Sequence, residues 1–377
     1  MQATRAIIHI DIFKANLQAV KAVIGRNRLI CVPIKADAYG HGSYEIARAA
    51  REAGAYCVAV ATVEEGALLR REGIDTPILL LSQPLFTEIP GILDNQLVPL
   101  VSDAEFVSAL DRQAAARGIK LPVHLKIDTG MGRMGAAAAE APGLARHIAG
   151  CAALEYAGTA SHLACADSPD PDDIAYTRQQ IACFNETLAA IRGMGLNPGI
   201  VHTANSGALI LHPESWFDMV RPGILLYGYN TAALSPAGGT PAPVGIMVRP
   251  VMELRTKIVF IRHFKKGNSL SYGRTWQAPQ DTRIAVLPVG YADGLPRLAS
   301  NRWKVFINER LYPLVGRICM DQCMVDLGQD TPAQRWDEVS IFGGPAPDAA
   351  ALAETIGTIP YEITSNVNKR VPRVYEG

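Results

Sequence analysis

Short apolar or β-branched runs recur along the first part of the chain with helical segments between them, the alternation of βα units and a parallel sheet. Eight such runs stand out: Leu29 to Ile34, Tyr56 to Val60, Pro77 to Leu81, Leu97 to Val101, Pro122 to Ile127, Glu155 to Ser161, Ile200 to Thr203 and Met219 to Leu226. Between them Ser43 to Ala53, Asp103 to Arg117 and Thr177 to Met194 have helical periodicity and length, with Asp103 and Thr177 suited to N-terminal positions. Eight strands with crossover helices predict an α/β fold, a (β/α)8 TIM barrel over residues 1–230.

The texture then changes. Residues 231–245 hold Pro236, Gly238, Gly239, Pro241, Pro243 and Gly245 without a charge, which marks a linker. Beyond it, Val251 to Phe260, Ile284 to Val289, Lys304 to Ile307 and Met324 to Leu327 alternate or are apolar, so residues 246–377 read as a mostly antiparallel β domain. The strand-like Arg5 to Ile12 precedes the barrel and is free to pair with that domain. No internal repeat is visible, and Ala136 to Glu140 is the one low-complexity patch.

Composition narrows the chemistry. The chain has 377 residues, 49% hydrophobic and 19% charged, enough for a large core and for two domains. Its 36 basic and 36 acidic residues cancel, which leaves no electrostatic footprint for nucleic acid or an anionic membrane and makes small-molecule chemistry the default. Seven cysteines, scattered without a Cys-x-x-Cys pair, read as reduced thiols of a cytoplasmic protein rather than a zinc site. The first residues lack a signal peptide's apolar stretch, and no run approaches membrane-spanning length.

Barrel active sites lie at the C-terminal ends of the strands, and polar residues gather there. The first strand ends in Lys35, ahead of Ala36-Asp-Ala-Tyr39-Gly-His41-Gly; the fifth in Lys126-Ile-Asp128-Thr-Gly-Met-Gly-Arg133; the sixth in Ser161-His162; the seventh in His202-Thr-Ala-Asn205-Ser206-Gly207; and Arg221-Pro-Gly223-Ile224 lies in the eighth. A lysine at the end of a buried strand is partly desolvated, which lowers its pKa and frees the amine for Schiff-base chemistry. Taken singly, Lys35 also fits a strand end reaching solvent, His162 a core histidine and Arg221 an ion-paired arginine. Gly130-Met-Gly132-Arg-Met-Gly135 matches the dinucleotide fingerprint literally, but four strands precede it and no carboxylate closes a strand about twenty residues on, so these glycines read as turns or close approaches. Asn205-Ser206-Gly207 and Gly223-Ile224 leave the strands where barrels often bind phosphate. A Schiff-base lysine, a phosphate cradle and an arginine facing a heteroaromatic nitrogen describe pyridoxal 5'-phosphate.

Over essentially its whole length the sequence resembles the bacterial alanine racemases, on Val32-Pro-Ile-Lys35-Ala-Asp-Ala-Tyr39-Gly-His-Gly, Lys126 to Arg133, Arg221-Pro-Gly-Ile-Leu-Leu-Tyr227-Gly, Ser271-Tyr272-Gly-Arg274, Gly290-Tyr291-Ala-Asp-Gly-Leu-Pro-Arg297 and Gly316-Arg317-Ile-Cys-Met320-Asp321. The resemblance implies that Lys35 holds the cofactor and is the base on one face of the substrate's Cα, and that Tyr272, from the partner subunit of a homodimer with shared sites, is the base on the other. A free tyrosine, with a pKa of about 10, is a poor base at neutral pH and needs cations nearby. His162 and Arg221 resemble the residues that supply them. Arg221 would also face the pyridine nitrogen and, by keeping its own proton, leave the ring a weaker electron sink. Tyr39, Ser206, Gly223 and Ile224 match phosphate-binding positions; Arg133 and the main chain at Met320 match contacts to the substrate carboxylate. Lys126 matches a lysine that is carbamylated in many relatives, where a carbamate beside Arg133 would replace repulsion with a charge-assisted hydrogen bond. Asp167, Tyr291, Arg297, Arg317 and Asp321 match a polar access path for small zwitterions.

One position departs from the family pattern. Where many relatives have a tyrosine, Lys369 precedes Arg370-Val-Pro-Arg373, able to pair with the phosphate as a point charge but removing an aromatic wall. The activity implied is interconversion of L- and D-alanine, supplying D-alanine for peptidoglycan. A serine or broad-specificity racemase is the alternative. A non-catalytic pyridoxal-phosphate carrier on the same barrel would lack a domain with Ser-Tyr-Gly, and a related decarboxylase would carry other cofactor motifs.

Overall fold

The computed structural model describes residues 2–233 and 245–377. They fall into two compact units, Lys14–Ala36 with Ser43–Val248, and Met1–Phe13 with Asp37–Gly42 and Arg249–Gly377. Residues 234–244 of the 231–245 linker lie outside the described residues. Among the described residues no helix is long and apolar enough to cross a membrane.

In the first unit eight parallel strands, Leu29–Pro33, Cys57–Val60, Ile78–Leu80, Val98–Val101, Leu121–Asp128, Leu154–Ala160, Ile200–His202 and Met219–Val220, follow in sequence order; the first seven pair each with the next, and the eighth pairs with the first. Backbone hydrogen bonds from Asp218 to Val201 (3.0 Å) and from Arg221 to Ala204 (2.8 Å) draw the seventh and eighth strands together. Alternate side chains point inward, and Cys31, Cys57, Ala59, Leu79, Val98, Leu100, Ala160 and Met219 fill the lumen.

Two expectations need correcting here. The eighth strand ends at Val220 rather than Leu226: Pro222 has no N–H to give a ladder, and Gly223–Gly228 closes successive turns, Leu226 onto Gly223, Tyr227 onto Ile224 and Gly228 onto Leu225. The helix expected from Thr177 starts at Pro171, where Asp170 caps the Asp172 N–H, and Thr177 is buried within it. Asp103 does cap its helix, Ala104–Ala116, by accepting from the Phe106 N–H at 2.7 Å.

The second unit holds a six-stranded sheet in the order Arg310–Pro313, Lys304–Ile307, Glu338–Phe342, Met252–Lys257, Arg5–His9 and Arg373–Glu376, antiparallel except for the last pair. A three-stranded antiparallel sheet joins Phe260–Phe264, Thr282–Leu287 and Cys323–Gly328. The run from Val251 to Phe260 is two strands. Ile258 donates to Asp337, which precedes the Glu338–Phe342 strand of one sheet, while Val259 donates to Val286 of the other, so the chain changes sheets between neighbouring residues. At the N-terminus the strand stops at His9, and Ile10–Ile24 is a helix that buries Phe13, Leu17, Val20 and Ile24 at helical spacing. Asp37–Gly42 belongs to this unit too, held by the Arg373 guanidinium on the Gly40 carbonyl (3.0 Å) and by a close approach to Thr364, whose carbonyl oxygen stands 2.1 Å from where a Gly40 Cβ would be.

Candidate active site

Lys35 follows the first barrel strand, and beyond it the backbone turns left-handed: φ is 52°, 53°, 53° and 55° at Ala36, Asp37, Ala38 and Tyr39. Each such residue costs roughly 1–2 kcal/mol for an L-amino acid, a strain that surrounding structure must hold. Part of that hold is Glu65, whose carboxylate accepts the Ala36 N–H at 2.7 Å and also caps its own helix through Ala61 and Thr62. Burial lowers the Lys35 pKa, and Arg133 and Arg221 push the same way while Glu65 opposes.

The fifth strand places His124, Lys126 and Asp128 on one face by its two-residue period. Gly158 lies opposite His124 in the register, and a Cβ there would stand 2.5 Å from the imidazole, so the sixth strand is hollowed to admit it. His124 Nδ1 is 2.8 Å from His202 Nε2, and His202 Nδ1 is 2.6 Å from Arg221 Nη1. Arg221 Nη2 donates to the Ser161 and Thr203 carbonyls at 2.7 and 3.0 Å and reaches His162 Nδ1 at 3.4 Å.

Among the described residues Lys35, Lys126, Arg133 and Arg221 form no ion pair. The two carboxylates whose charge favours protonation of these lysines are occupied by backbone amides, Glu65 as above and Asp128 by Gly130 and Gly132 at 2.9 Å each. The fingerprint-like glycines thus wrap Asp128, and Gly135 presses on its backbone. Burial is the first cause of every shift here, and neighbouring cations add to it at Lys126 and the three histidines. Burial, then Arg221 and Arg133, hold Lys126 well below an ordinary lysine; burial, then Arg221, hold His162 and His202 well below an ordinary imidazole; His124 falls to about 4, and Arg221 itself to about 10 through burial. Such a site favours anions and neutral amines.

Nearby, Ser206 Oγ accepts the Gly223 and Leu225 N–H groups at 2.9 and 3.3 Å, Asn205 caps Ala208 at 3.0 Å, and Ile224 is buried beside them in the chain. The Asp167 backbone packs so closely on Gly207 that a Cβ there would meet its N at 2.7 Å, and its side chain is exposed.

The other site residues read from the sequence, Tyr39, Tyr272, Tyr291, Arg297, Arg317, Met320, Asp321 and Lys369, belong to the β unit. Tyr39 is buried with its ring centroid 5.8 Å from that of Tyr361. Tyr272 is 69% exposed, on a turn whose preceding residue, Ser271, has φ 64° and ψ −179°, a region used almost only by glycine. The Ser271 hydroxyl holds that conformation by donating to the Arg317 carbonyl at 2.6 Å. Tyr291 and Ala292 donate to the Cys319 and Met320 carbonyls at 3.1 and 3.0 Å, and Arg370 bridges Asp293 (2.7 Å) and Asp321 (2.8 Å). Arg297 and Lys369 are exposed.

His124 escaped the sequence reading, and His202 was noted there without a role. The signal was present in His124-Leu-Lys126-Ile-Asp128, three polar residues on one face of an otherwise apolar strand.

Residues 8–231 match the family described as alanine racemase, N-terminal domain, and residues 251–375 the alanine racemase C-terminal domain. The chain is 47% identical to the alanine racemase of Treponema denticola, over 100% of this chain and 98% of that protein. It superposes on the alanine racemase of Clostridium difficile 630 with a TM-score of 0.91 at 33% identity, covering 100% of this chain and 96% of that one. It also superposes on the alanine racemase of Bartonella henselae, described with covalently bound pyridoxal phosphate, with a TM-score of 0.87 at 27% identity and all of both chains covered.

Proposed function

Because the chain belongs to the alanine racemase family, we propose that it interconverts L- and D-alanine with pyridoxal 5'-phosphate as cofactor, in the cytoplasm and in supply of D-alanine for peptidoglycan. The observation that carries this reading is the barrel's cationic set, buried Lys126 and Arg221 with half-buried Lys35 and exposed Arg133, whose nearby carboxylates are committed to amides. That donor set fits a phosphorylated heteroaromatic aldehyde bound with a substrate carboxylate. Lys35 would hold it covalently through Nζ, Arg221 would face its ring nitrogen, and Tyr39, Asn205, Ser206, Gly223, Ile224 and Lys369 would take the phosphate. When bound, the group withdraws electrons from the substrate's Cα.

The chain's residues do the proton work. A lysine amine whose pKa is lowered by burial removes and returns the α-proton on one face as a general base. On the other face that role falls to Tyr272 of the partner subunit in a homodimer with shared sites. Arg221 is always a donor, so the lone pair on His162 Nδ1 faces it and the proton sits on Nε2, free to donate to a phenolate. Arg133 and the Met320 main chain bind the substrate carboxylate. Lys126, too desolvated to carry an unpaired charge comfortably, is carbamylated and pairs with Arg133. Asp167, Tyr291, Arg297, Arg317 and Asp321 form the access path. The same reading divides the chain into a barrel over 1–230, a linker over 231–245 and a β domain over 246–377. Serine or a broader set of amino acids is the second reading, favoured by the exposed Lys369 at the place of an aromatic wall.

Incubating the purified chain with each alanine enantiomer, while following chirality and carbon dioxide, tests the activity. Racemisation without decarboxylation is expected; loss of carbon dioxide or an unchanged enantiomer would overturn it. Borohydride reduction and peptide mapping should place the pyridoxyl group on Lys35, and a label on another lysine would sink that assignment.

A further inference from the structure

The hydrogen-bonded line His124, His202, Arg221 runs through the barrel with no acid in it, and its proton positions follow from its one invariant donor. Guanidinium cannot accept a hydrogen bond. The 2.6 Å contact from Arg221 Nη1 therefore needs the lone pair of His202 Nδ1, and the His202 proton must sit on Nε2. That proton points at His124 Nδ1, 2.8 Å away, which must in turn be an unprotonated acceptor. His124 is then protonated on Nε2 as well. Each imidazole is neutral and in a single tautomer, and reversing either would set two donors against each other in a buried line.

We propose that His124 is a positioning residue for Arg221, acting by supplying the one acceptor that keeps the His202 lone pair turned toward the guanidinium. The barrel is built around this contact. Gly158, register partner of His124, lacks the Cβ that would strike the imidazole at 2.5 Å, and Thr159, the next residue, anchors its strand by donating to the Pro198 carbonyl at 2.7 Å. Without His124 the His202 Nε2–H has no acceptor in this line, nothing fixes the His202 tautomer, and Arg221 keeps only the Ser161 and Thr203 carbonyls and the longer His162 contact. A guanidinium free to swing no longer meets a ring nitrogen at a fixed angle. The relay stands on geometry; its consequence for turnover rests on the proposed racemase reading.

The test separates an acceptor from a space-filler. In the full-length protein labelled with 15N-histidine, long-range proton–nitrogen correlations should show His124 and His202 neutral with protons on Nε2. His124→Gln, whose amide oxygen can accept, should keep the His202 tautomer and turn over within about threefold of wild type. His124→Leu should lose that tautomer and drop kcat about tenfold or more in both directions, with KM within about twofold. Gly158→Ala, which leaves His124 in the chain but displaces its ring, should behave like the leucine variant, so the claim survives should His124→Leu fail to fold. A His202 proton on Nδ1 in the wild type, or leucine and glutamine variants that match in tautomer and kcat, would overturn the proposal. If the tautomers are as stated but the wild type racemises nothing, the relay stands and the racemase reading falls.

Discussion

In the barrel unit the buried Lys126 and Arg221 form no ion pair among the described residues, whereas in the β unit Arg370 closes on Asp293 and Asp321, Arg255 on Glu253 at 2.7 Å and Lys265 on Asp281 at 2.7 Å. The β unit settles its charges locally and leaves its candidate base, Tyr272, standing in solvent on a strained turn. The barrel pairs charges on its surface, as in Arg51 with Asp75 and Arg117 with Asp94, but leaves the interior charge of Lys126 and Arg221 unbalanced. Burying cations is expensive, and here burial depresses an amine, three imidazoles and a guanidinium, with Arg221 adding to the shift of the amine and the imidazoles. The contrast places the tuned groups in the barrel and an exposed phenol, Tyr272, in the β unit.

The largest effect should come from removing one contribution of each unit. Lys35→Ala and Tyr272→Phe should each lower turnover by roughly 10³-fold or more, since each deletes a group that moves the α-proton. Tyr272→Phe should depress α-proton exchange in deuterated water far more from L-alanine than from D-alanine, and equal losses would count against opposite-face roles. Co-expressing the two variants should restore up to about a quarter of wild-type sites, because in a mixed isologous dimer one site receives both lesions and the other neither. Confirmed heterodimers without activity would mean that each site is built within one chain.

How far this division could be read from the sequence depended on burial. Barrel strands covered on both faces are continuous apolar runs, so all eight were visible with their ends within a residue or two, except the eighth. Its continuation, Arg221 to Tyr227, is fully buried, and a buried turn looks like a buried strand in hydropathy alone. Pro222 and Gly223 were the local hints. The site was legible where polar residues stand at or near a strand's end, as at Lys35, Lys126 and His162, and not deeper inside it, as at His124. In the β unit the change of sheets at Ile258 and Val259 left no mark in the alternation, and Glu338–Phe342, Arg373–Glu376 and the helices Ala349–Ile356 and Pro360–Ser365 were missed because each is short and borrows its partners from distant segments.

Acid should sharpen the contrast between units. Three histidines with lowered pKa, His124, His162 and His202, lie in the barrel unit and one, His41, in the β unit. For His124 burial moves the pKa from 6.5 to about 4. Between those values the unfolded chain binds a proton that the native state refuses, so its contribution is complete above pH 6.5 and falls as the pH drops toward 4, by about 1.4 kcal/mol per unit. The urea midpoint of the barrel transition should therefore fall more steeply with acid than that of the β unit. His124→Gln, which cannot titrate, should flatten the barrel slope by close to one proton over that window, and an unchanged slope would show that His124 is not neutral in the native barrel.

The smallest effect concerns the one β-unit position where a charge replaces an expected ring. Lys369 is exposed and precedes Arg370, whose side chain is committed to Asp293 and Asp321, so a substitution at 369 leaves that bridge in place. If the lysine serves the cofactor phosphate as a point charge, Lys369→Tyr gives up one ionic contact and restores an aromatic surface against the substrate side chain. A surface of that kind discriminates between a methyl and a hydroxymethyl group only modestly, so the alanine-to-serine ratio of kcat/KM should rise by about 1 kcal/mol, or roughly fivefold. Cofactor affinity should fall in parallel, read by equilibrium titration, because a neutral phenol replaces an ammonium. A raised ratio with weakened cofactor binding would give the position both roles. A ratio that stays level or drops would place substrate selection with other residues and leave Lys369 as a phosphate ligand alone.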